Sequence, residues 1–270
     1  FSIHQKNEPI TLHTSDEFGD LAGALNIIAE DLNNFDDYQR AFISNISHDF
    51  RSPLTSIHGY AQAMLDGTIP YEAQEKYLNI ILSETDRLTN LTSNLLELNS
   101  FNGDNVLLDI TTFNICETIV QTVNTLEGTA AKKEISFVLD YNTQKELLVE
   151  ADESKIHQVL YNLIDNAVKF SHNNSEIKIS LRKKGAKVFV SVKDSGIGIP
   201  KESLNKVFDR FYKTDISRGK DKRGTGLGLS ISKEIIQAHN QTINVVSTVD
   251  VGTEFVFTLK YHSKKQEASS

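Results

Sequence analysis

Ser47-His48-Asp49-Phe50-Arg51-Ser52-Pro53-Leu54 lies in a run whose apolar members, Phe42, Ile43, Ile46, Phe50, Leu54 and Ile57, recur at helical spacing. On a wheel of about 100° per residue, Ile43, Ile46, Phe50, Leu54 and Ile57 form one face, and His48 falls roughly 170° from its centre. The histidine is therefore expected in solvent, on the middle of a rigid helix. An ordinary surface histidine is the default reading of such a position. Two neighbours set it apart: the carboxylate of Asp49 and a proline, Pro53, five residues on inside the helix. Pro53 removes a backbone hydrogen bond just below the histidine and is expected to kink the helix.

Upstream, Leu21, Leu25, Ile28, Leu32 and Phe35 alternate in spacings of four and three, a heptad seam that calls for a partner helix. Residues 1–17 show little periodicity. Downstream the pattern fades near Asp66-Gly67, and Gly67-Thr68-Ile69-Pro70 reads as a turn. A second helix follows at about 71–100, with Leu88, Leu91, Leu95 and Leu98 on one stripe. Two amphipathic helices joined by a short turn make an antiparallel hairpin, which cannot bury both stripes alone. Pairing of two copies into a dimeric four-helix bundle is the expected solution. Ser100-Phe101-Asn102-Gly103-Asp104-Asn105 reads as a hinge.

Beyond the hinge, strands are expected at 135–139, 177–181, 188–192, 243–246 and 255–259, and helices near 114–131, 153–170 and 228–239. Lys183-Lys184-Gly185-Ala186-Lys187 suits a hairpin turn. The fold class is thus α followed by α/β: a helical hairpin, then a mixed sheet covered by helices. Domain limits are placed at 1–37, 38–101 and 102–262, with a frayed polar tail at 263–270. The chain of 270 residues has room for roughly two domains. A net charge of −8 argues against a nucleic-acid partner, which would want a basic face. One cysteine, Cys116, excludes an internal disulfide. No stretch approaches the 18 or so apolar residues of a membrane helix, and no signal peptide is visible. The chain opens on Phe1 rather than Met, so a fragment with a missing upstream segment is expected.

Three further clusters carry chemistry. Asn162, Asn166 and Lys169 share one helix face at i, i+4 and i+7, although Asn is unfavourable in mid-helix. They could simply be solvated; they could also hold a Mg²⁺–phosphate group through amide oxygen and ammonium. Asp194-Ser195-Gly196-Ile197-Gly198-Ile199-Pro200 follows a strand, where two glycines permit a tight turn and close approach of a ligand. The Asp194 carboxylate could accept from a nucleobase amino group. Arg223-Gly224-Thr225-Gly226-Leu227-Gly228-Leu229-Ser230 opens a helix, and its N–H groups suit a phosphate. It is neither a P-loop nor a dinucleotide fingerprint, lacking Gly-Lys-Ser/Thr and a preceding strand. The loop before it carries Lys213, Arg218, Lys220, Lys222 and Arg223, a solvated run or a lid over a triphosphate.

In these clusters, in this order, the sequence resembles the sensor histidine kinases of two-component signalling. Residues 48–54 match the family's H box, 162–170 its N box, 194–198 its first glycine box and 224–229 its second. Phe208-Asp209-Arg210-Phe211-Tyr212 matches its F box. Residues 16–34 look like the second half of a HAMP signalling module, which implies an upstream transmembrane sensor segment and a membrane-anchored protein. The resemblance implies a homodimer, an ATP-binding α/β sandwich shared with gyrase and chaperone ATPases, and a cognate response regulator. By the same resemblance Asn166 coordinates Mg²⁺, Asp194 reads adenine, and the 224–228 turn holds phosphates, with Lys169, Phe170, Tyr212 and Thr225 beside the nucleotide. Phe170 stands where the family often has Tyr. Asn162 stands where the related ATPases have a glutamate that activates water, and an amide cannot act as that base. His48 is the implied phosphoacceptor, with Asp49 on its other ring nitrogen and Lys213 among the cations. Ser52 stands where strongly dephosphorylating members carry Thr or Asn, which implies weak phosphatase activity.

Overall fold

The computed structural model describes residues 10, 17–100, 107–141, 146–214 and 224–263. These divide into two compact units between Thr85 and Asp86. The first unit begins with α1 (Glu17–Leu65), which continues on both sides of Pro53. Proline has no N–H, so the carbonyl four residues back, that of Asp49, loses its helical donor directly beside His48. The helix closes where the sequence predicts: Asp66 N–H bonds Gln62 O at 3.0 Å, Gly67 turns with φ +77°, and Ile69 N–H returns to Ala63 O at 2.9 Å. A 3₁₀ turn (Tyr71–Ala73) leads into α2 (Gln74–Ser100). Tyr60 packs on Tyr77 with ring centroids 5.1 Å apart, so the chain doubles back as expected of a hairpin.

The apolar stripes are only partly covered. Ile46, Phe50 and Ile57 are half-buried, whereas Ile43 and Leu54 are exposed. Leu21, Leu25, Ile28 and Leu32 of the seam are between 44% and 62% exposed. Leu91 and Leu98, on the part of α2 that belongs to the second unit, are buried. The hinge from Phe101 onward, the side chain of Phe35, Asp16, the lid cations Arg218, Lys220, Lys222 and Arg223, and the tail past Ser263 lie outside the described residues.

Among the described residues of the second unit, seven strands form one mixed sheet: β1 (Thr111–Asn114), β2 (Ser136–Asp140), β3 (Leu148–Ala151), β4 (Glu176–Lys184), β5 (Lys187–Lys193), β6 (Ile243–Thr248) and β7 (Gly252–Tyr261). Their order is β1-β3-β7-β5-β4-β2, with β6 pairing β7 on the edge it shares with β3. Only β2 and β4 run parallel; the other pairs are antiparallel. Gly185 (φ +62°) and Ala186 make the two-residue turn between β4 and β5, with Lys184 opposite Lys187. Alternate residues Ile177, Ile179, Leu181, Val188, Val190, Val192, Phe255, Phe257 and Leu259 are buried on one face, as period-two patterning requires.

That face carries α3 (Ile115–Ala131), α4 (Glu153–Phe170) and α5 (Gly228–Ala238), with α4 packed between the other two. α4 is fixed at both ends. Asp152 caps its start, accepting from Lys155 N–H (3.2 Å) and Ser154 Oγ (2.7 Å). At its end Lys133 Nζ donates to the carbonyls of Val168 (2.8 Å) and Lys169 (2.6 Å), satisfying acceptors the helix leaves over. Ile156, Val159, Leu160, Leu163, Ile164, Ala167 and Val168 face inward and are buried, which turns the 162/166/169 face outward.

Candidate functional site

That outward face of α4 forms the floor of a cavity of about 650 Å³, a size suited to a small-molecule site. Asn162, Asn166, Lys169 and Phe170 line it from α4, Asp194 and Gly198 from the turn after β5, and Tyr212, Lys213, Gly224, Thr225, Gly226 and Gly228 from beyond. Thr253 and Phe255 of β7 and Asn90 and Asn94 of α2 line it as well.

The amides on α4 have different work. Asn162 Nδ2 donates to Gly228 O (3.2 Å) and Ser232 Oγ (3.4 Å), so this side chain ties α4 to the start of α5. Asn166, half-buried, makes no side-chain hydrogen bond among the described residues. Its oxygen therefore fits a Mg²⁺ held by one protein oxygen, phosphates and water. No group of three or more His, Cys, Asp or Glu among the described residues could hold a metal on its own. Lys169 does not stand ready for phosphate alone: Asp165, one turn back, accepts its ammonium at 2.7 Å.

Asp194 is buried, with 6% of its surface exposed. Its Oδ1 accepts from Gly196 N–H (3.0 Å) and Thr253 N–H (3.2 Å), which leaves Oδ2 for the cavity. Burial pushes the carboxyl up to about 6, against the pull of those two N–H groups and of His172. The glycines beside it also meet a need of the scaffold. A Cβ on Gly196 would sit 2.3 Å from Phe170 O, and one on Gly198 (φ +66°) 2.1 Å from Thr248 O. The close approach is between the turn and its own neighbouring chain segments, and Gly196 does not line the cavity. The Leu227 side chain is fully buried in the core and does not line the cavity.

At the glycine-rich turn, Gly226 takes φ +70° and its carbonyl accepts from Phe211 N–H at 3.0 Å. The first bond inside α5 runs from Ile231 N–H to Leu227 O (2.9 Å), so the N–H groups of residues 228–230 have no intrahelical acceptor. Thr225 Oγ1 accepts from Leu227 N–H (3.3 Å), leaving its hydroxyl proton free to turn elsewhere. Lys213 is not an unattached cation: its ammonium donates to Gly224 O at the mouth of the turn. Tyr212 donates to Ser203 Oγ at 3.0 Å.

On the first unit, the His48 side chain is 83% exposed, as its wheel position predicts. Its Nδ1 lies 3.7 Å from Asp49 Oδ1, an electrostatic neighbour but beyond hydrogen-bond range. Ser47 and Thr55 bond the carbonyls four residues back at 2.8 Å; exposed Ser52 makes no side-chain hydrogen bond among the described residues. The sequence reading missed Thr253, Lys133, Asn90 and Asn94. Asp165 could have been found by its spacing of four from Lys169. Thr253 carries no local signal, since only the sheet pairing brings it beside Asp194.

Two family descriptions match the chain. "His Kinase A (phospho-acceptor) domain" covers residues 38–103, and "Histidine kinase-, DNA gyrase B-, and HSP90-like ATPase" covers 151–263. The sensor histidine kinase WalK of Bacillus subtilis (strain 168) is 33% identical over 258 residues, 93% of this chain and 42% of that relative. The chain thus spans less than half the length of that relative. Among solved structures, the nucleotide-free catalytic domain of histidine kinase ThkA is 36% identical, with a TM-score of 0.51 over 56% of this chain and 95% of that one. Histidine kinase ThkA in complex with the response regulator protein TrrA gives a TM-score of 0.67 at 31% identity, over 84% of this chain and 62% of that one.

Proposed function

The chain belongs to the sensor histidine kinases of two-component signalling, and from that premise we propose that it moves the γ-phosphoryl group of ATP to His48 and then to a response-regulator aspartate. The observation that carries this is the cavity in the second unit. It gathers an unengaged amide, Asn166, a buried carboxylate, Asp194, and a helix start with free N–H groups. These are a metal-side ligand, a reader of an amino group and an anion cradle, in one cavity.

In this reading Asp194 Oδ2 accepts from the adenine amino group while its Oδ1 stays on the two backbone N–H groups. The N–H groups of 228–230 and Lys213 face the phosphates. Asn166 would hold Mg²⁺, which when bound would supply positive charge beside the transferring group. An unprotonated ring nitrogen of His48 attacks the γ-phosphorus in line, the bond from that phosphorus to the β–γ bridging oxygen breaks, and ADP leaves. Asp49 stabilises the cation that develops on the ring, and a side-chain rotation from 3.7 Å would bring it onto the other ring N–H. Asn162 contributes no base, so water gains no advantage over the histidine.

The exposed seam of α1, with Ile43 and Leu54, favours a second copy of this chain as the covering surface, hence a homodimer. The HAMP-like stretch 16–34 favours an anchor upstream, in a protein held at a membrane; no helix among the described residues is long and apolar enough to cross one. Weak dephosphorylation of the regulator is a second activity, favoured by the unengaged hydroxyl of Ser52 one turn from His48.

The test is incubation with γ-labelled ATP and Mg²⁺. Label should appear in the wild type, be lost in acid, and be absent from His48→Gln, with ATP affinity within about threefold of the wild type because a hydrogen bond to His48 forms no part of the nucleotide cavity. Persistent label in His48→Gln, carried instead by His58 or His157, would overturn the assignment.

A further inference from the structure

Two asparagines outside the family's boxes open into the same cavity. Asn90 and Asn94 lie four residues apart on α2, hence on one helix face, within the part of α2 that belongs to the second unit. Asparagine weakens a helix interior because its amide competes for backbone bonds. Here neither amide hydrogen-bonds to any described residue, and both line the cavity together with Gln158, Tyr161 and Asn162.

Three residues past Asn94, the side chain of Glu97 is 14% exposed and fully engaged. Its Oε1 takes the ammonium of Lys155 at 2.6 Å, and its Oε2 accepts from Gln158 Nε2 at 2.5 Å. Both partners lie on the first turns of α4. Glu97 therefore holds this stretch of α2 against α4 beside the two asparagines.

The position along the cavity sets the chemistry. From Phe170, beside the Asp194 turn, to Gln158 the helix rises about 18 Å at 1.5 Å per residue. On the proposed reading, the base occupies the Asp194 end and Asn166 holds the metal part-way along. The end bounded by Gln158, Asn90 and Asn94 then receives the terminal phosphate. We propose that Asn90 and Asn94 are nucleotide-binding residues that donate to the terminal phosphate of a nucleoside triphosphate, positioned there by the Glu97–Lys155/Gln158 clasp. The site would thereby distinguish a triphosphate from the diphosphate product, whose shorter chain does not reach the amides. The inference rests on the cavity being the ATP site.

Calorimetric titration with Mg-ADP and with the imido analogue Mg-AMPPNP tests it, since neither probe is consumed. Asn90→Ala/Asn94→Ala should bind the imido analogue about tenfold more weakly, as expected for losing hydrogen bonds to a charged group, and Mg-ADP within about twofold. Alanine favours the helix, so folding is not at stake. Glu97→Lys should show the same selective loss, and the reversed pair Glu97→Lys/Lys155→Glu should regain at least part of it. An unchanged ratio of the two affinities in the double alanine variant overturns the proposal, as does an equal loss of both. A Glu97→Lys loss that the reversed pair leaves untouched overturns the clasp. A wild type that binds neither probe removes the ATP reading itself, an outcome distinct from these.

Discussion

Asp194→Asn should separate stability from binding in opposite directions. The carboxyl is 6% exposed and its pKa is raised from 3.8 to about 6, with burial as the largest cause. Because the folded pKa lies above the unfolded one, the proton stabilises the fold. That contribution is complete below about pH 3.8 and is lost as pH rises through 6. The difference, 6 − 3.8, is about 2.2 units, and at roughly 1.4 kcal/mol per unit the ionised carboxylate costs at most about 3 kcal/mol at pH 7.5. Asparagine is isosteric, keeps an oxygen for the N–H groups of Gly196 and Thr253, and carries no charge to bury. The variant should therefore gain up to about 3 kcal/mol at pH 7.5, raising the melting temperature by about 6–12 °C in a unit of this size. At pH 4 the gain should nearly vanish. Toward the cavity, however, an amide N–H₂ replaces the acceptor Oδ2 and confronts another amino group. Loss of a charged hydrogen bond predicts about 100-fold weaker Mg-ADP binding. Urea unfolding at the two pH values and a calorimetric titration read both arms. A stability gain that is absent at pH 7.5, or as large at pH 4, would refute the burial argument. Unchanged Mg-ADP affinity would refute the role in reading the base.

Asn166→Ala should abolish the Mg²⁺-dependent part of nucleotide binding, because its amide has no structural bond to lose; titration with and without Mg²⁺ checks this, and equal Mg²⁺ dependence in variant and wild type would contradict it. Ser52→Thr should quicken loss of label from a purified phosphorylated regulator without altering autophosphorylation, since the added methyl restricts the rotamer of a hydroxyl that nothing else holds. Equal rates for wild type, Ser52→Thr and Ser52→Ala would leave Ser52 without that role.

What was legible in the sequence follows from how strongly each element patterns its side chains. α4 was readable to its ends because seven buried apolar residues repeat at helical spacing and Asp152 marks the cap. The longer strands β4, β5 and β7 were readable because each has seven or more residues and buries alternate apolar side chains. β1 and β3 were not: each is four residues long, and β1 buries only Phe113, too little to establish a period. α1 and α2 were legible as amphipathic helices, and the turn between them from Gly67 and Pro70.

The site was legible in a more limited sense, because a motif marks chain positions without saying what each position is for. Gly196, Gly198 and Leu227 sit inside the glycine boxes. Two of the three prove to be junctions of the scaffold: Gly196 admits the Phe170 carbonyl, and Leu227 anchors the start of α5 in the core. Gly198 does both, lining the cavity while Thr248 O fills the space a Cβ would need. Asn162 lies on the cavity face yet uses its N–H₂ on Gly228 O and Ser232 Oγ, so it shapes the phosphate turn through α5. Asn166, one turn later on the same face, keeps its amide unengaged. Spacing alone cannot tell these two asparagines apart; the difference is made by α5, which approaches α4 at one of them and not at the other. The same logic explains why Thr253 and Asn94 escaped notice. Each reaches the cavity from an element that is distant in sequence, and tertiary packing, not local pattern, supplies its neighbours.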